Sequence, residues 1–263
     1  MNRKKLGVEG NIAERLESLD VSLFDGVPTQ SSKGDREAWL AVQRSVRLPS
    51  GYSYLEIGSH LGGSIQQHLL DPLCRTIFSI DKRPLSQPDD RGQVFQYEGN
   101  STDRMLENLR QISTDQVSKL TCFDGDARDI DDKDITAPPD FCFIDGEHTH
   151  TAVLSDFEFC LRVCSPDAAI CFHDDYIIHR AIGLILSRLR RHGVSFTARK
   201  LSGATFGIFL GNCPAGRDPY ILSHSKDETR WLRGQRLRHI VPVWLRPAAR
   251  WMVNSFGRQR QPA

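Results

Sequence analysis

The chain is arranged around residues 54–64, Tyr54-Leu-Glu-Ile-Gly-Ser-His-Leu-Gly-Gly-Ser64. The stretch opens as a short apolar run, meets an acid at Glu56 and breaks into glycines at Gly58, Gly62 and Gly63. Ile65 to Leu70 then carries the apolar spacing of a helix. Strand, glycine turn and helix in that order open a nucleotide-binding α/β domain. Glycine lets the backbone approach a ligand where a Cβ would collide, and a helix N-terminus leaves unpaired N–H groups facing it. An ordinary tight strand-to-helix turn uses the same residue types, so the rest of the chain has to decide.

A dinucleotide site calls for G-x-G-x-x-G, with the pyrophosphate seated on the helix N-terminus. Here the pattern is E-x-G-x-x-x-G-G, with a lone first glycine and an acid two residues before it. An acid aimed into the turn repels a pyrophosphate. It suits a cofactor with a cationic amino acid end, and S-adenosylmethionine carries both an ammonium and a sulfonium. Gly58, Ser59, Gly62 and Ser64 are the turn's candidate contacts.

Length bounds the rest. At 263 residues there is room for one large α/β domain with appendages, and 25% charged against 39% hydrophobic residues is ordinary for a globular protein. No apolar run approaches the roughly 18 residues of a membrane span, and the basic start at Arg3-Lys-Lys5 has no apolar segment after it to make a secretion signal. The seven cysteines include no C-x-x-C pair. Cys122, Cys142 and Cys171 lie in strand-like runs and Cys160 and Cys164 one helical turn apart, which reads as buried reduced thiols of a cytoplasmic protein rather than a zinc site.

A net charge of +1 hides an asymmetry: from Thr229 onward there are eight arginines and no acid. The preceding residues are net acidic, which argues against a nucleic-acid-binding core. In the tail, Arg246, Arg250 and Arg258 are interleaved with Trp231, Trp244 and Trp251, and the spacing predicts a helix over Pro247–Phe256. Such a stretch packs over the acidic body or on a second subunit, or lies on anionic lipid.

In chain order, residues 1–34 are a lead-in with one helix near Ile12–Leu19. Asp35 reads as the N-cap of a helix over Arg36–Val46. Strands are expected at Tyr52–Ile57, Thr76–Ile80, Lys119–Phe123, Phe141–Ile144 and Ala168–Phe172, with helices at Met105–Ile112, Thr151–Val163 and Ile178–Arg191 between and after them. Val194–Arg199 and Thr205–Leu210 close the fold as a hairpin around Ser202-Gly203. The expectation is an α/β fold: a doubly wound, mostly parallel seven-stranded sheet with a C-terminal antiparallel hairpin and a basic helical tail. The divisions are 1–34, a main domain over 35–212, and an extension over 213–263.

Ligands of such sheets bind outside the carboxyl ends of the strands. Glu56, Asp81, Asp126, Asp145, Asp174 and Asp175 all fall at such ends. Asp81 lies on the order of 20 residues beyond the glycines, the spacing at which a second-strand carboxylate meets a ribose diol. Asp145, Asp174 and Asp175 end neighbouring strands, and three converging carboxylates are costly unless a cation offsets them. Oxygen-only ligation selects a hard ion such as Mg²⁺. His148, three residues after Asp145, is placed to take a proton from a hydroxyl near neutral pH. The plainer readings are a helix cap for Asp174-Asp175, a cap for His148, and packing or surface roles for His150, His173 and His179.

With these residues in view, the sequence resembles class I S-adenosylmethionine-dependent methyltransferases. It is most similar to the metal-dependent O-methyltransferases, which include the catechol and macrolide-sugar types. "YLEIGSHLGGS", "FSID", "GDA", "FIDGEHTHTAVLSDF" and "ICFHDD" carry the resemblance from about Tyr52 to Leu210. It implies that Glu56, Gly58, Ser64, Asp81, Asp126 and Ala127 contact S-adenosylmethionine. It implies Asp145, Asp174 and Asp175 as metal ligands, with His148 as base beside Asp145. The implied acceptor is a hydroxyl of a small molecule, a sugar or glycosylated metabolite. The family's usual P-G-G before the fifth strand is replaced here by Ser165-Pro-Asp-Ala168. Two competitors stay open: a nicotinamide-dependent oxidoreductase or epimerase, disfavoured by the glycine spacing and the missing Y-x-x-x-K, and a non-catalytic cofactor-binding scaffold.

Overall fold

A computed structural model describes residues 11–240. Its centre is an eight-stranded sheet ordered β10-β8-β9-β7-β6-β1-β2-β5. The strands are β1 (Tyr52–Ile57), β2 (Cys74–Asp81), β5 (Leu120–Asp124), β6 (Phe141–Ile144), β7 (Ala169–Phe172), β8 (Phe196–Lys200), β9 (Phe206–Leu210) and β10 (Lys226–Asp227). β5, β2, β1, β6 and β7 run parallel, while β9 pairs antiparallel with both β7 and β8. The expected seven strands are all present. The eighth, β10, is a two-residue edge strand on β8, and a separate hairpin joins β3 (Ser86–Pro88) to β4 (Val94–Gln96).

Period-two alternation sorts the core. Tyr52 and Tyr54 of β1 face one layer with Phe141 and Phe143, and Leu55 and Ile57 face the other with Cys142 and Ile144. The first layer is covered by α2 (Lys33–Val46), α3 (Gln66–Leu70) and α4 (Thr102–Ile112), through residues such as Trp39, Leu69 and Leu109. The second is covered by α5 (His150–Val163) and α6 (Asp175–Arg191), through Phe157, Ile182 and Leu186. Each such fully buried side chain contributes roughly 2 kcal/mol. A single sheet thus buries both faces, as the alternation of strands and helices predicts.

Both ends of the described chain pack on this body. α1 (Ile12–Glu17) and the turn after it bury Leu16, Leu23, Phe24 and Val27. Gln66 fastens the segment, its Oε1 accepting from the N–H groups of Gly26 and Val27 while its Nε2 donates to the carbonyls of Val27 and Gly63. Beyond Cys213, α7 (Pro219–His224) buries Ile221, and α8 (Glu228–Ile240) lays Trp231 against Phe206 with ring centroids 4.6 Å apart. The helix expected over Pro247–Phe256 lies outside the described residues. No described helix is long and apolar enough to cross a membrane.

α2 starts earlier than the sequence suggests. Ser32, not Asp35, is its N-cap, and Asp35 stands at the third helical position of a capping box. The Ser32 hydroxyl accepts from the Asp35 N–H while Asp35 Oδ2 accepts from the Ser32 N–H at 2.9 Å. The other Asp35 oxygen accepts from Ala204 N–H at 2.6 Å and Thr205 Oγ1 at 3.1 Å, so α2 is tied to the β8–β9 turn. All seven cysteines are free thiols, five of them buried.

Candidate active site

The strand order reverses at β1, which lies between β2 and β6. A crevice opens there beyond the carboxyl ends of the strands. The first turn is made by Gly58, at φ +91°. A Cβ there would strike the Asp145 carbonyl and Gly146, so the turn after β1 passes backbone against backbone over the turn after β6. Two further bonds interlock the strand ends: Asp145 N–H to Ile57 O at 2.8 Å, and His173 N–H to Ile144 O at 3.0 Å. By these contacts the fold brings Asp145 and His173 to the glycine turn.

The cleft that results, about 110 Å³, has the segment Pro28–Gln30 and the glycine turn on one side. On the other are Gln87, Phe95 and Tyr97 of the β3–β4 hairpin region, with Asp145, His148, His173 and Asp174 at the inner end. Of the residues singled out from the sequence, Gly58, Ser59, Ser64, Asp81, Asp145, His148 and Asp174 line it. Glu56 lies directly beneath, fully buried, accepting from Tyr54 Oη at 2.8 Å and from the Ser64 hydroxyl. Gly62 packs towards Leu109 and Met105, and Gly63 takes its place in the lining. Asp126 is engaged by Lys82 and Arg128, each at 2.7 Å, and neither it nor buried Ala127 is among the lining residues.

Asp81 holds the glycine turn in place. Its Oδ2 accepts from the His60 N–H at 2.8 Å and its Oδ1 from the Arg83 N–H at 2.7 Å. The Arg83 guanidinium, itself nearly buried, reaches back to the His60 carbonyl at 2.5 Å and to Asn100 Oδ1 at 3.1 Å. A carboxylate offers about four lone-pair sites, so capacity is left for a ligand hydroxyl.

The charged centre is a chain of alternating acids and imidazoles. His148 Nε2 lies 3.4 Å from Asp145 Oδ1 and His148 Nδ1 lies 3.7 Å from Asp174 Oδ2. His173 Nδ1 is 3.1 Å from Asp145 Oδ1, and its Nε2 faces Asp35 Oδ2 at 3.7 Å. Trp39 packs edge-on to the His173 ring, with centroids 5.5 Å apart. Burial works against protonating His173, but Asp145, Asp35 and Asp174 outweigh it and push its pKa up to about 11. Burial likewise opposes a charge on Asp145, yet the two imidazoles hold it down at about 2. His148 is raised: the hydrogen bond to Asp145 and the charges of Asp145 and Asp174 exceed the effect of burial. Glu56 goes the other way, to about 8, because burial outweighs the hydrogen bonds from Ser64 and Tyr54 and the charges of Asp145 and Asp81 add to it.

Asp174 sits at φ +49° in the left-handed region, at the N-cap position of α6, and makes no side-chain capping bond. Its carboxylate is thereby turned to the cleft. Asp175 is turned away: it is buried, 3.4 Å from Lys200 Nζ, with its N–H on the Ala204 carbonyl. The donor atoms that fall together are those of Asp145, His148 and Asp174, all within 4.8 Å of one another. The helix after His148 is capped by Thr149, whose hydroxyl accepts from the Ala152 N–H, which leaves the imidazole out of the capping. The sequence reading gave little weight to His173 and none to Phe95 or Tyr97. Only the strand-end position of His173 pointed to it, and nothing local marked the other two.

Against known proteins, a family model described as a methyltransferase domain matches residues 55–175. No curated protein matches the sequence. The structure is similar to that of the O-methyltransferase TomG from Streptomyces achromogenes, involved in tomaymycin synthesis, in complex with SAM. That match has 16% identity, covers 78% of this chain and 92% of that one, and has a TM-score of 0.49. It is also similar to the O-methyltransferase from Bacillus cereus in complex with SAH, at 17% identity over 79% of this chain and 94% of that one, with a TM-score of 0.48.

Proposed function

We propose that this chain, whose residues 55–175 match a methyltransferase-domain family model, is a class I S-adenosylmethionine-dependent methyltransferase that methylates a hydroxyl of a small molecule, a sugar or glycosylated metabolite, with His148 as the general base. The glycine turn supports the cofactor part of the reading, since Gly58, Ser59, Gly63 and Ser64 all line the cleft at the strand ends. Bound S-adenosylmethionine would supply a sulfonium-activated methyl group. Asp81 has spare acceptor capacity for a ribose hydroxyl, and the Ser64 hydroxyl, which lines the cleft and is held by Glu56 behind it, offers an oxygen to an ammonium.

One observation carries the choice of base: His148 lies on the wall of the cleft, with one ring nitrogen 3.4 Å from Asp145 and the other 3.7 Å from Asp174. Asp145 orients the ring and stabilises the imidazolium that forms when His148 takes the acceptor's proton. His173 in turn holds Asp145. Deprotonation as the oxygen attacks is the task the chain's own residues perform.

Within the cluster of Asp145, His148 and Asp174, the two carboxylates suit a hard divalent ion such as Mg²⁺, whose remaining positions water would fill, and His148 is left free as the base. Asp145 and Asp174 would hold it, and its charge would lower the pKa of the acceptor hydroxyl. Contact of residues 229–263 with anionic lipid or a second copy of the chain is a further proposal, resting on their arginine and tryptophan pattern.

Calorimetry with S-adenosylhomocysteine and with NAD, each with and without Mg²⁺, tests the reading. Binding of S-adenosylhomocysteine and not NAD is expected, and NAD binding alone would overturn it. Loss of methyl transfer in His148→Ala with cofactor binding retained would support the base.

A further inference from the structure

Among the described residues, six large hydrophobic side chains are exposed, and four of them, Leu85, Val94, Phe95 and Tyr176, belong to the β3–β4 hairpin region or the first turn of α6. Phe95 and Tyr176 are joined by Arg91. Its guanidinium lies 5.9 Å from the Phe95 ring centroid and 5.8 Å from that of Tyr176, while Asp89 accepts from its Nε at 2.6 Å. The hairpin is therefore braced to α6. It is also tied to the loop that carries His148: the Asp90 N–H donates to the His148 carbonyl at 3.3 Å, and Asp90 Oδ2 accepts from the His150 N–H at 2.8 Å.

The hairpin belongs to no strand of the main sheet and holds up no part of the core. Its inner residues, Phe95 and Tyr97, nevertheless line the cleft, and the Tyr97 ring sits edge-on to His60 of the glycine turn at 5.3 Å. Exposed aromatic faces beside a catalytic cleft are costly in water and useful against a ring. Charge narrows the choice further. The lining contains Asp81, Asp145 and Asp174 but no lysine or arginine; the guanidinium of Arg83 behind it is taken by Asp81, the His60 carbonyl and Asn100, and that of Arg91 by Asp89.

We propose that the β3–β4 hairpin is the acceptor-selecting wall of this site, with Phe95, Tyr97 and Tyr176 receiving the face of a neutral hydroxylated ring and the cleft rejecting anionic acceptors. The inference rests on the methyltransferase reading and deepens it. Because Asp90 fixes the hairpin to the His148 loop, a ring held on this wall stands in register with the base. A neutral glycoside ring and a neutral phenol share the chemistry required, and the probes below separate them.

The test uses the full chain loaded with S-adenosylhomocysteine and two matched pairs of probes that differ in charge: phenyl β-D-glucopyranoside against phenyl β-D-glucuronide, and methyl caffeate against caffeate. Saturation-transfer NMR titrations give the affinities. In at least one pair the neutral probe is expected to bind about tenfold more tightly than its anion. Tyr176→Ala and Phe95→Ala should each weaken that neutral probe by about tenfold, the size of one lost aromatic stacking contact. Both side chains are outside the core, and retained binding of S-adenosylhomocysteine reports that each variant is folded. Failure of the wild type to bind S-adenosylhomocysteine would sink the methyltransferase reading and this inference with it. With that binding intact, the acceptor wall alone is overturned by anions that bind as well as the neutral probes, by neutral probes that fail to bind, or by variants that bind them as the wild type does.

Discussion

His173 Nδ1 stands 3.1 Å from Asp145 Oδ1, and the opposite ring nitrogen faces Asp35, so one imidazole lies between two carboxylates from distant parts of the chain. The positive charge that the rim of acids demands is therefore present within the protein itself. His173 is only 8% exposed in its side chain, and a doubly protonated ring is the form that presents a donor to both acids.

That pairing has a consequence for stability. The pKa of His173 rises from its ordinary value of 6.5 to about 11 on folding, so its contribution is fully present below 6.5 and is lost as pH climbs through 11. His173→Gln removes the charge and leaves Asp35 and Asp145 without it. A loss of about 3 kcal/mol at pH 7 is expected, the usual effect of breaking a buried pair. Urea denaturation at pH 7 and pH 11 measures it, and the gap between wild type and variant should shrink at the higher pH.

A general base at His148 would impose a pH dependence with a definite sign. His148 must be neutral to accept a proton, and Asp145 and Asp174 favour its charged form. Activity should therefore fall as pH is lowered, with the midpoint of the acid limb above 6.5. Asp174→Asn takes away one of the two acids and should shift that midpoint down. A kcat/KM profile of both proteins decides, and a midpoint at or below 6.5 in the wild type would remove His148 from the role.

What the sequence made legible follows from what is local. The apolar run ahead of the glycines located β1, and the acids at strand ends located Asp81, Asp145 and Asp174 on the cleft, because a strand end in a parallel sheet has few places to point. Asp174 and Asp175 were indistinguishable by sequence. The left-handed turn at Asp174 separates them, sending one carboxylate to the cleft and the other to Lys200. The cap of α2 was misplaced because Ser32 and Asp35 are both good capping residues, and the tie from Asp35 to Ala204 that settles the geometry is tertiary. The place of the β3–β4 hairpin at the cleft is hidden for the opposite reason: its residues are largely exposed and carry almost no apolar alternation, so only the folded chain shows them beside the site.

Glu56 predicts a second pH effect, opposite in origin to that of His173. Its carboxyl is fully buried and rises from 4.5 to about 8 on folding. A folded pKa above the unfolded one means stability present below 4.5 and lost as pH rises through 8. The loss over that window is on the order of 5 kcal/mol at most. Glu56→Gln keeps an acceptor for Tyr54 and cannot ionise. Its melting temperature should exceed that of the wild type at pH 8 and match it at pH 5. Identical pH dependence in the two proteins would mean that Glu56 is ionised and paired throughout.

The two adjacent acids of α6 offer the sharpest test of a metal. Asp174 shares its donor cluster with Asp145 and His148, whereas Asp175 is buried against Lys200. If a divalent ion binds, Asp174→Asn should abolish it, since the substitution removes one of only two carboxylates in the cluster. Asp175→Asn should leave ion binding in place and lower stability, because Lys200 loses its acidic partner. Titration with Mn²⁺, followed by the decrease in its free electron-spin signal, reads the ion directly and needs no acceptor. Equal loss in both variants would show that Asp175 turns towards the ion when it binds. Undiminished binding in Asp174→Asn would place any ion elsewhere.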